Sequence, residues 1–343
     1  MRYDCDERTV LTLDAGGTTM VFSAMRANRE IMEPVSLPTE PRDLDQCLAV
    51  IVEGFTIARE RAGGMPEAIS FAFPGPADYP AGIIGDLGNL PAFRGGVALG
   101  PMLREKFGVP VFINNDGNLF AYGEAMAGLL PEINGVLERT GSPRRYATLI
   151  GVTIGTGFGG GIVADGRLLV GDNSAAGEVW LMRHKLDPSL NAEEGVSIRA
   201  VKRFYAEESG TPGESAPEPE MLYRIAKGEA RGDAHAARSA FARMGEIAGD
   251  ALAVASTLLD GLVVIGGGLA GAGEFFMPAL VREMNDSYLS PSGKAFPRLE
   301  SRVFNLENAD HLKEFSAGAA RVVAVPGAGK TVTYDPLMRI GVG

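Results

Sequence analysis

The sequence has few of the residues from which disulfide frameworks and metal sites are built. Cys5 and Cys47 are its two cysteines, and they lack CxxC spacing, so a disulfide-stapled scaffold is excluded. The three histidines, His184, His235 and His311, have no cysteine near them, which argues against structural zinc. We expect two plain thiols, with Cys47 buried on a helix.

Positive charge is also in short supply. The chain carries 32 Lys and Arg against 43 Asp and Glu, a formal net charge of −11 at pH 7, and no block of basic residues offsets it. Such a chain repels a phosphate backbone, so we expect no nucleic-acid partner. No apolar run reaches membrane-spanning length, and residues 1–8 lack the apolar core of a signal peptide. We therefore expect a cytoplasmic protein that does not bind membranes.

The composition that remains is that of an ordinary soluble protein. The 343 residues, 45% hydrophobic and 22% charged, can hold two domains. Hydrophobic periodicity predicts helices over residues 43–63, 97–107, 119–130, 197–207, 234–259 and 311–321. Strands are predicted over residues 68–73, 109–113, 148–154 and 261–265.

A glycine turn between two apolar runs stands near the start of the chain. Leu11 to Ala15 and Met20 to Ala24 read as strands on either side of Gly16-Gly17-Thr18-Thr19. Glycines let a backbone approach a ligand closely, and N–H groups with two hydroxyls can line an anion site. Asp14 beside them could hold Mg²⁺ through water. The alternative is an ordinary hairpin whose turn is Gly-Gly.

The same pattern occurs a second time. Residues 148–154 form a predicted strand that runs into Gly155-Thr156-Gly157, and a second strand leaves the turn before an Asp165-Gly166 hairpin. Two such turns, from two similar half-molecules, would face each other across a cleft and offer N–H groups to the phosphates of one nucleotide. A duplicated turn is a stronger sign of a phosphate site than a single one.

Asp116 is the candidate for chemistry. It follows the apolar strand over residues 109–113, within Asn114-Asn115-Asp116-Gly117-Asn118, where a rigid element can hold a carboxylate at a cleft. Phosphoryl transfer to an alcohol needs a base beside the hydroxyl, donors around the phosphate, and Mg²⁺. The alternative for Asp116 is an Asx turn or a helix N-cap.

Two glycine-rich segments match the loose dinucleotide pattern GxGxxG. The segment at Gly155 is followed by a strand, so it fails the context of a Rossmann turn. The segment at Gly266 lies between a strand and a helix, and it could wrap a nucleoside or simply end the strand. Residues 324–331 also fit a relaxed Walker A pattern, but the following residues do not read as a helix and only 12 residues remain, so we interpret this match as fortuitous.

Five motifs between Leu11 and about Ala320, in the right order, resemble those of the ROK family, which comprises bacterial sugar kinases and sugar-responsive repressors with the actin-like ATPase fold. They are Asp14-Ala15-Gly16-Gly17-Thr18, similar to its DxGGT phosphate loop; Asn89-Leu90-Pro91, similar to its sugar-side NLP loop; Asn115-Asp116-Gly117-Asn118, similar to its catalytic NDxN; Gly155 to Gly161, similar to its second phosphate loop; and Gly266-Gly267-Gly268, similar to its adenosine segment.

The resemblance implies an architecture and a set of roles. The fold would be the two-domain α/β actin-like ATPase (ribonuclease H-like) fold with a cleft, divided into a phosphate- and sugar-binding domain over residues 1–117, a nucleotide- and sugar-binding domain over residues 118–320 and a tail of unknown packing over residues 321–343. Asp116 would be the general base, and Asp14 would hold Mg²⁺ through water. The implied sugar ligands are Asn89, Asn115, Asp116, Glu178 and Glu193. The implied nucleotide ligands are Gly16, Gly17, Thr18, Thr19, Thr156, Gly157, Gly266, Gly267 and Gly268.

The chain departs from the family at one place. Where the family reads AGEIGHM, residues 176–182 keep Glu178 but have Leu181 instead of the histidine, and the cysteine-rich zinc loop is missing. Glu193, Ser197 and Ala200 nevertheless keep the ExxxSxxA spacing that follows that loop. We therefore expect no zinc, and the departure leaves open which sugar is bound.

These observations predict an ATP- and Mg²⁺-dependent kinase of a hexose or amino-hexose, of the glucokinase type and acting on the 6-hydroxyl, in a cytoplasmic homodimer. One alternative is a catalytically weak sugar sensor or regulator of the same family; with the first motif at Leu11, we expect no DNA-binding domain in front of it. Another is a nicotinamide oxidoreductase built on the Gly266 pattern. A thermal-shift comparison of ADP with NAD would separate that oxidoreductase from a kinase.

Overall fold

Two six-stranded sheets organise the chain. The computed structural model describes residues 3–16, 18–88 and 90–343. These residues divide into two units: Met1–Leu119 with Val170–Ala176, and Phe120–Leu169 with Gly177–Gly343. The domain boundaries expected from the sequence, at residues 117 and 320, stay a prediction.

The first unit carries the first sheet. Its strands are β1 (Val10–Ala15), β2 (Thr19–Arg26), β3 (Arg29–Glu30), β4 (Val35–Pro38), β5 (Ala68–Ala72), β6 (Ala77–Asp78), β7 (Ile83–Ile84) and β8 (Val111–Asn114). Its helices are α1 (Leu44–Arg61), α2 (Leu99–Phe107) and the start of α3 (Asp116–Ala127). The sheet order is β3-β2-β1-β5-β8, with β4 also paired to β2. Strands β1 and β2 are antiparallel, whereas β1, β5 and β8 are parallel.

An aromatic contact and a small residue explain how α1 packs on this sheet. Phe22 of β2 and Phe55 of α1 are fully buried and meet edge to face, with ring centroids 5.2 Å apart. A Cβ on Gly54 would lie 2.2 Å from the Phe22 ring, so the small residue lets the helix approach the strand. Cys47 is buried on α1, as expected, and burial raises the pKa of its thiol to about 11.

The second unit carries the second sheet. Its helices are the rest of α3, α4 (Leu129–Arg139), α5 (Ile198–Ser209), α6 (Pro219–Lys227), α7 (Ala234–Leu259), α8 (Gly273–Met284) and α9 (Ala309–Ala317). Its strands are β9 (Thr148–Ile154), β10 (Phe158–Ala164), β11 (Arg167–Leu168), β12 (Leu262–Gly266), β13 (Ser287–Leu289), β14 (Ala295–Pro297), β15 (Arg302–Asn305), β16 (Arg321–Val325), β17 (Lys330–Tyr334) and β18 (Arg339–Val342). The sheet order is β11-β10-β9-β12-β18-β15.

The two sheets repeat one topology. Each begins with an antiparallel hairpin whose first strand pairs in parallel with a later one: β1 with β5, and β9 with β12. The glycine turn lies at the tip of each hairpin. The structure therefore confirms the internal repeat that the two strand-glycine-strand patterns predicted.

Small residues set the packing of the longest helix in the described chain. A Cβ on Gly245 of α7 would lie 2.3 Å from the Phe276 carbonyl oxygen of α8, and one on Gly249 would lie 2.6 Å from the Leu280 carbonyl oxygen. The two helices are therefore packed backbone against backbone behind the sheet. No helix in residues 3–16, 18–88 and 90–343 is long and apolar enough to cross a membrane.

The structure differs from the sequence-based elements mainly near the C-terminus. The residues expected to form a tail contain β18, which is buried between β12 and β15 as an interior strand of the sheet. Arg339 anchors this strand by an ion pair to Asp335 with an N–O distance of 2.6 Å. The Walker A look-alike spans the turn between β16 and β17, which form a two-stranded hairpin, so the expectation that no helix follows it is confirmed. Helices α4 and α6 were not predicted.

Candidate active site

The first glycine turn closes the β1–β2 hairpin. The Gly16 N–H donates to the Thr19 carbonyl at 3.0 Å, and a Cβ on Gly16 would lie 2.6 Å from that oxygen, so the position needs glycine. The buried Thr39 lies behind the turn: its hydroxyl donates to the Gly16 carbonyl at 2.8 Å and its N–H to the Thr18 carbonyl at 3.0 Å. Thr18 and Thr19 are exposed, and the predicted ligand Gly17 lies outside the described residues.

The carboxyl ends of three parallel strands bring Asp14 close to the segment that contains Asp116. Asp14 of β1 is aligned with Ala72 of β5, and Ala72 is aligned with Asn114 of β8. Two strand spacings separate Asp14 from Asn114, about 10 Å. Both Asp14 and Asp116 are exposed. The edge of the sheet where parallel strands end is the usual ligand side of an α/β domain.

Asp116 is the first residue of α3, but it is not the cap of that helix. Asn115 takes the N-cap role, because its Oδ1 accepts the Asn118 N–H at 2.6 Å. The Asp116 Oδ1 accepts the N–H of the next residue, Gly117, at 2.9 Å, and among the described residues its Oδ2 has no hydrogen-bond partner. One carboxylate oxygen is thus held and the other is open, an arrangement suited to accepting a proton. The predicted sugar ligand Asn89 lies outside the described residues.

A buried amide lies one position beyond this turn. Asn118 is 1% exposed, and neither its Oδ1 nor its Nδ2 has a hydrogen-bond partner among the residues that the structure describes. Buried polar groups are normally satisfied, so this side chain has a donor and an acceptor to offer to a water or a ligand atom.

The second glycine turn closes the β9–β10 hairpin in the other unit. The Gly155 N–H donates to the Gly157 carbonyl at 2.9 Å, which leaves Thr156 exposed at the tip. Two carbonyls of the turn are held by α5: that of Gly155 by the Ile198 N–H at 2.8 Å, and that of Thr156 by the Arg199 Nη1 at 3.1 Å. Within the described part of the chain, the Thr156 and Gly157 N–H groups have no acceptor.

Glu193 is bound to this second turn. Its Oε2 accepts the Phe158 N–H at 3.0 Å and its Oε1 accepts the Arg199 Nη2 at 2.9 Å. A Cβ on Gly157 would lie 2.6 Å from the Glu193 Oε2, so the carboxylate lies directly against the turn. Its expected role as a sugar ligand stays a prediction.

The third glycine segment lies next to the second turn. Gly267 has a φ of +90°, and a Cβ there would lie 2.6 Å from the Ile154 carbonyl oxygen at the end of β9. The same carbonyl accepts the Leu269 N–H at 3.0 Å. A Cβ on Gly155 would lie 3.9 Å from the Gly268 nitrogen. The structure therefore brings together the two segments that we predicted to bind a nucleotide in this unit.

Glu178 lies in a loop that rests on β10. Gly177, with a φ of +86°, packs against Gly160 and Gly161, and the Trp180 indole N–H donates to the Glu178 carboxylate. Leu181, which replaces the family's histidine, is 60% exposed. Among the described residues, no group of three or more His, Cys, Asp and Glu side chains could hold a metal ion.

A buried histidine organises the loop that leads to Glu193. The His184 Nδ1 accepts the Leu186 N–H at 3.1 Å and the Asp187 N–H at 3.0 Å. A Cβ on Gly195 would lie 2.5 Å from the His184 Nε2, so the ring packs directly on that backbone. Burial, reinforced by the nearby Arg203 charge, lowers the pKa of His184.

Two supporting residues were not found from the sequence. Thr39 and Arg199 hold the carbonyls of the first and second turns, but each is separated along the chain from the turn it supports, by 23 and 43 residues. A single threonine or arginine at such a separation gives no local pattern. The glycines and hydroxyls of the turns themselves did give one.

Comparison with known proteins identifies the family. A family model described as the ROK family matches residues 10–309. A crystal structure of glucokinase from Parabacteroides distasonis is 54% identical with a TM-score of 0.92, covering 100% of this chain and 94% of that chain. The glucokinase of Thermotoga maritima is 27% identical over 306 residues, which are 82% of this chain and 89% of that protein. The N-acetyl-D-glucosamine kinase of Photobacterium profundum is 30% identical over 275 residues, 75% of this chain and 83% of that protein.

The paired sheets with a glycine turn on each hairpin are those of the two-domain actin-like ATPase fold. The chain belongs to the ROK family. We reject the hypothesis of a nicotinamide oxidoreductase, which rested on the Gly266 pattern, because this segment is part of an actin-like ATPase fold and not of a Rossmann fold.

Proposed function

We propose that this chain, an ATP-dependent sugar kinase of the ROK family, transfers the γ-phosphoryl group of ATP to the 6-hydroxyl of a hexose or amino-hexose. The observation that carries the proposal is Asp116, an exposed carboxylate with one oxygen open, at the sheet edge that also bears Asp14 and the first glycine turn. Relatives named glucokinase and N-acetyl-D-glucosamine kinase make glucose and N-acetylglucosamine the first sugars to test.

The chemical step needs little beyond positioning. Asp116 takes the proton of the sugar hydroxyl as its oxygen forms a bond to the γ-phosphorus, and the bond from that phosphorus to the β,γ-bridging oxygen breaks to release ADP. Asn115 uses its Oδ1 for the helix cap, so its amide N–H groups remain to orient a sugar hydroxyl. Asn89, Glu178 and Glu193 complete the proposed set of sugar ligands.

The phosphates are assigned to the glycine turns. The exposed Thr18 and Thr19 hydroxyls, with Gly16 and Gly17, would bind phosphate oxygens at the first turn, and the N–H groups of Thr156 and Gly157 would do so at the second turn. Gly266, Gly267 and Gly268 would take the adenosine, next to the second turn.

Mg²⁺ is assigned to Asp14. The ion usually keeps several waters and binds one or two carboxylates together with the substrate's phosphates, so a single exposed carboxylate fits it. When bound, Mg²⁺ would neutralise charge on the β- and γ-phosphates. We further propose a cytoplasmic homodimer that works without zinc and binds no nucleic acid.

The second candidate is a sugar sensor of the same family with weak catalysis. Leu181 in place of the family's histidine favours it, as do the bonds that engage Glu178 with Trp180 and Glu193 with Arg199. A sensor would bind sugar but transfer no phosphate.

The experiment is sugar-dependent ADP release from Mg-ATP over a panel of hexoses, amino sugars and N-acetyl sugars, with the phosphate position in the product read by ³¹P–¹H NMR. We expect one sugar to dominate, with its phosphate on the 6-oxygen. Phosphate on another oxygen would disprove the regiochemistry alone. Sugars that raise the melting temperature without any turnover would establish the sensor.

Asp116→Asn tests the base in the same assay. Removing a general base costs about 10²- to 10⁴-fold in kcat, while sugar binding should change little because the amide keeps the shape of the carboxylate. The control is the melting temperature, which should stay near that of the wild type since the helix is capped by Asn115. Retention of more than about a tenth of the wild-type kcat would remove Asp116 from the role of base.

A further inference from the structure

Arg199 makes an unusual set of contacts for an exposed arginine. Its side chain is 45% exposed, yet it donates to the Thr156 carbonyl at 3.1 Å, to the Glu193 Oε1 at 2.9 Å and to the Glu194 Oε1 at 2.7 Å. Hydrogen bonds to Glu194 and Glu193 raise the pKa of the guanidinium, so it carries its charge at all relevant pH values. One side chain thus ties the tip of the second glycine turn to the segment that carries both glutamates.

The bond to Thr156 fixes the direction of a peptide plane. A peptide unit is planar and trans, so the N–H of Gly157 points away from the carbonyl of Thr156. Because Arg199 holds that carbonyl on the α5 side, the Gly157 N–H faces the opposite side. The Ile198 N–H does the same for the neighbouring peptide by holding the Gly155 carbonyl.

The orientation matters because the two ends of a peptide have opposite effects on an anion. An N–H group attracts a phosphate oxygen, whereas a carbonyl oxygen in the same place repels it. Glycine at position 157 has no side chain to resist rotation of this peptide, although the end of the Glu193 side chain lies against it. Without a donor behind it, the peptide could turn its carbonyl toward the phosphate.

Two carboxylates bind the Arg199 guanidinium. Glu193 and Glu194 both bind its Nη2, and the segment that carries them is joined to α5. Two carboxylates balance its charge, so the cation is suited to holding a carbonyl and not to binding phosphate itself.

Neighbouring cations do not share this position. Lys202 and Arg203 line the same cavity of about 620 Å³ beside α5, together with Arg199. Lys202 pairs with Glu218, and Arg203 with Glu194 and Glu207, and neither is bonded to the turn. The contact with the turn is therefore a property of Arg199 and not of the basic surface as a whole.

We infer that Arg199 is a positioning residue for the nucleotide: it holds the peptide between Thr156 and Gly157 so that the Gly157 N–H faces the phosphates. The inference rests on the proposed function, since it takes the anion at this turn to be the phosphate chain of ATP or ADP.

The test compares Arg199→Gln with Lys202→Gln, which removes the same charge from the same helix and cavity. Calorimetry with ADP and Mg²⁺ should show about a 10-fold weaker Kd for Arg199→Gln and less than about a 2-fold change for Lys202→Gln. Adenosine, which has no phosphate, should bind both variants as it binds the wild type. The KM for sugar should also be unchanged in Arg199→Gln.

Arg199→Lys separates orientation from charge. An ammonium group keeps the charge but cannot hold the carbonyl and both carboxylates in one planar arrangement, so most of the loss in ADP affinity should persist. ADP affinity restored by Lys, equal losses in Arg199→Gln and Lys202→Gln, or an equal loss for ADP and adenosine would each overturn the positioning role. Wild-type protein that binds no ADP would overturn the proposed function itself, and the inference with it.

Discussion

The two glycine turns solve one physical problem with different residues. In each, two carbonyls of the turn are held by a backbone N–H and a side-chain donor from elsewhere in the same unit. In the first turn both donors belong to Thr39, a buried and neutral residue. In the second they are the Ile198 N–H and the half-exposed, charged Arg199. An anion site built from backbone N–H groups thus needs the neighbouring carbonyls turned away from the anion. Both turns of the repeat meet this requirement, but with different supporting residues.

The difference also sets how rigid each turn should be. A hydroxyl buried behind the first turn is shielded from solvent, whereas the Arg199 network at the second turn is exposed to water and salt. We therefore expect the first turn to be intolerant of change and the second to be adjustable.

Alanine at the two turn glycines gives the largest expected contrast. A Cβ on Gly16 would lie 2.6 Å from a backbone oxygen of Thr19, so Gly16→Ala must move the hairpin and should lower the free energy of unfolding by about 1–3 kcal/mol. At Gly157 the obstacle is the end of the Glu193 side chain, which can move. Gly157→Ala should therefore cost less than Gly16→Ala in urea unfolding.

A double-mutant cycle checks the reason. Combining Gly157→Ala with Glu193→Ala removes the contact, so the double variant should be more stable than the sum of the single effects predicts. Additive effects, or a cost at Gly157 as large as that at Gly16, would show that the two turns do not differ in this way.

His184, in the loop that leads to Glu193, should make the free energy of unfolding depend on pH. The first turn has no such histidine among the residues described as supporting it. The pKa of His184 is lowered in the folded protein below the ordinary value of 6.5, mainly by burial, so the unfolded chain binds more protons below that pH. The contribution to stability is complete above about pH 6.5 and is lost as the pH falls. Protonation also ends the bonds that the His184 Nδ1 accepts from Leu186 and Asp187.

The measurement is the free energy of unfolding at pH 7.5 and 5.5. Asn at position 184 keeps an acceptor near Nδ1 and does not titrate, so the wild type should lose more of its free energy of unfolding than His184→Asn over this interval. The charges of Asp187, Glu194, Arg203 and Arg243 also act on the imidazole. Identical losses in the two proteins would show that His184 is not the group responsible.

The smallest effect is expected at the hairpin that only looks like a phosphate loop. Lys330 and Thr331 lie on β17, paired with β16, and not before a helix. Lys330→Ala should leave the KM for ATP within about 2-fold of the wild type, whereas an effect as large as that of Arg199→Gln would return this segment to the nucleotide site.

Local hydrophobic patterns predicted the helices and strands that are long and strongly periodic. The helix over residues 234–259 and the strand over residues 148–154 have the predicted bounds, because α7 and β9 are long and strongly periodic. The strand β18 was missed, since its four residues gain their burial from β12 and β15 and not from any local repeat. Its place in the sheet is a long-range property.

The candidate site divides in the same way. The glycine turns and the Asp116 segment have sequence signatures because ligand contact demands particular residues at fixed spacing. Thr39 and Arg199 have none, since each lies far along the chain from the turn it supports, by 23 and 43 residues. The sequence also did not predict that Glu193 binds the Phe158 N–H and Arg199. Motif spacing indicates that a carboxylate lies near the site, but it does not show which groups the carboxylate binds.

The most direct test of the central claim is the rate of ADP release from Mg-ATP by the wild-type protein, measured with and without glucose or N-acetylglucosamine. A kinase with a base that acts only on a bound sugar should release ADP at least about 100-fold faster when its sugar is present, with one sugar phosphate formed per ADP. Equal rates with and without sugar, or no release with any sugar despite ADP binding, would contradict the assignment of phosphoryl transfer to this site.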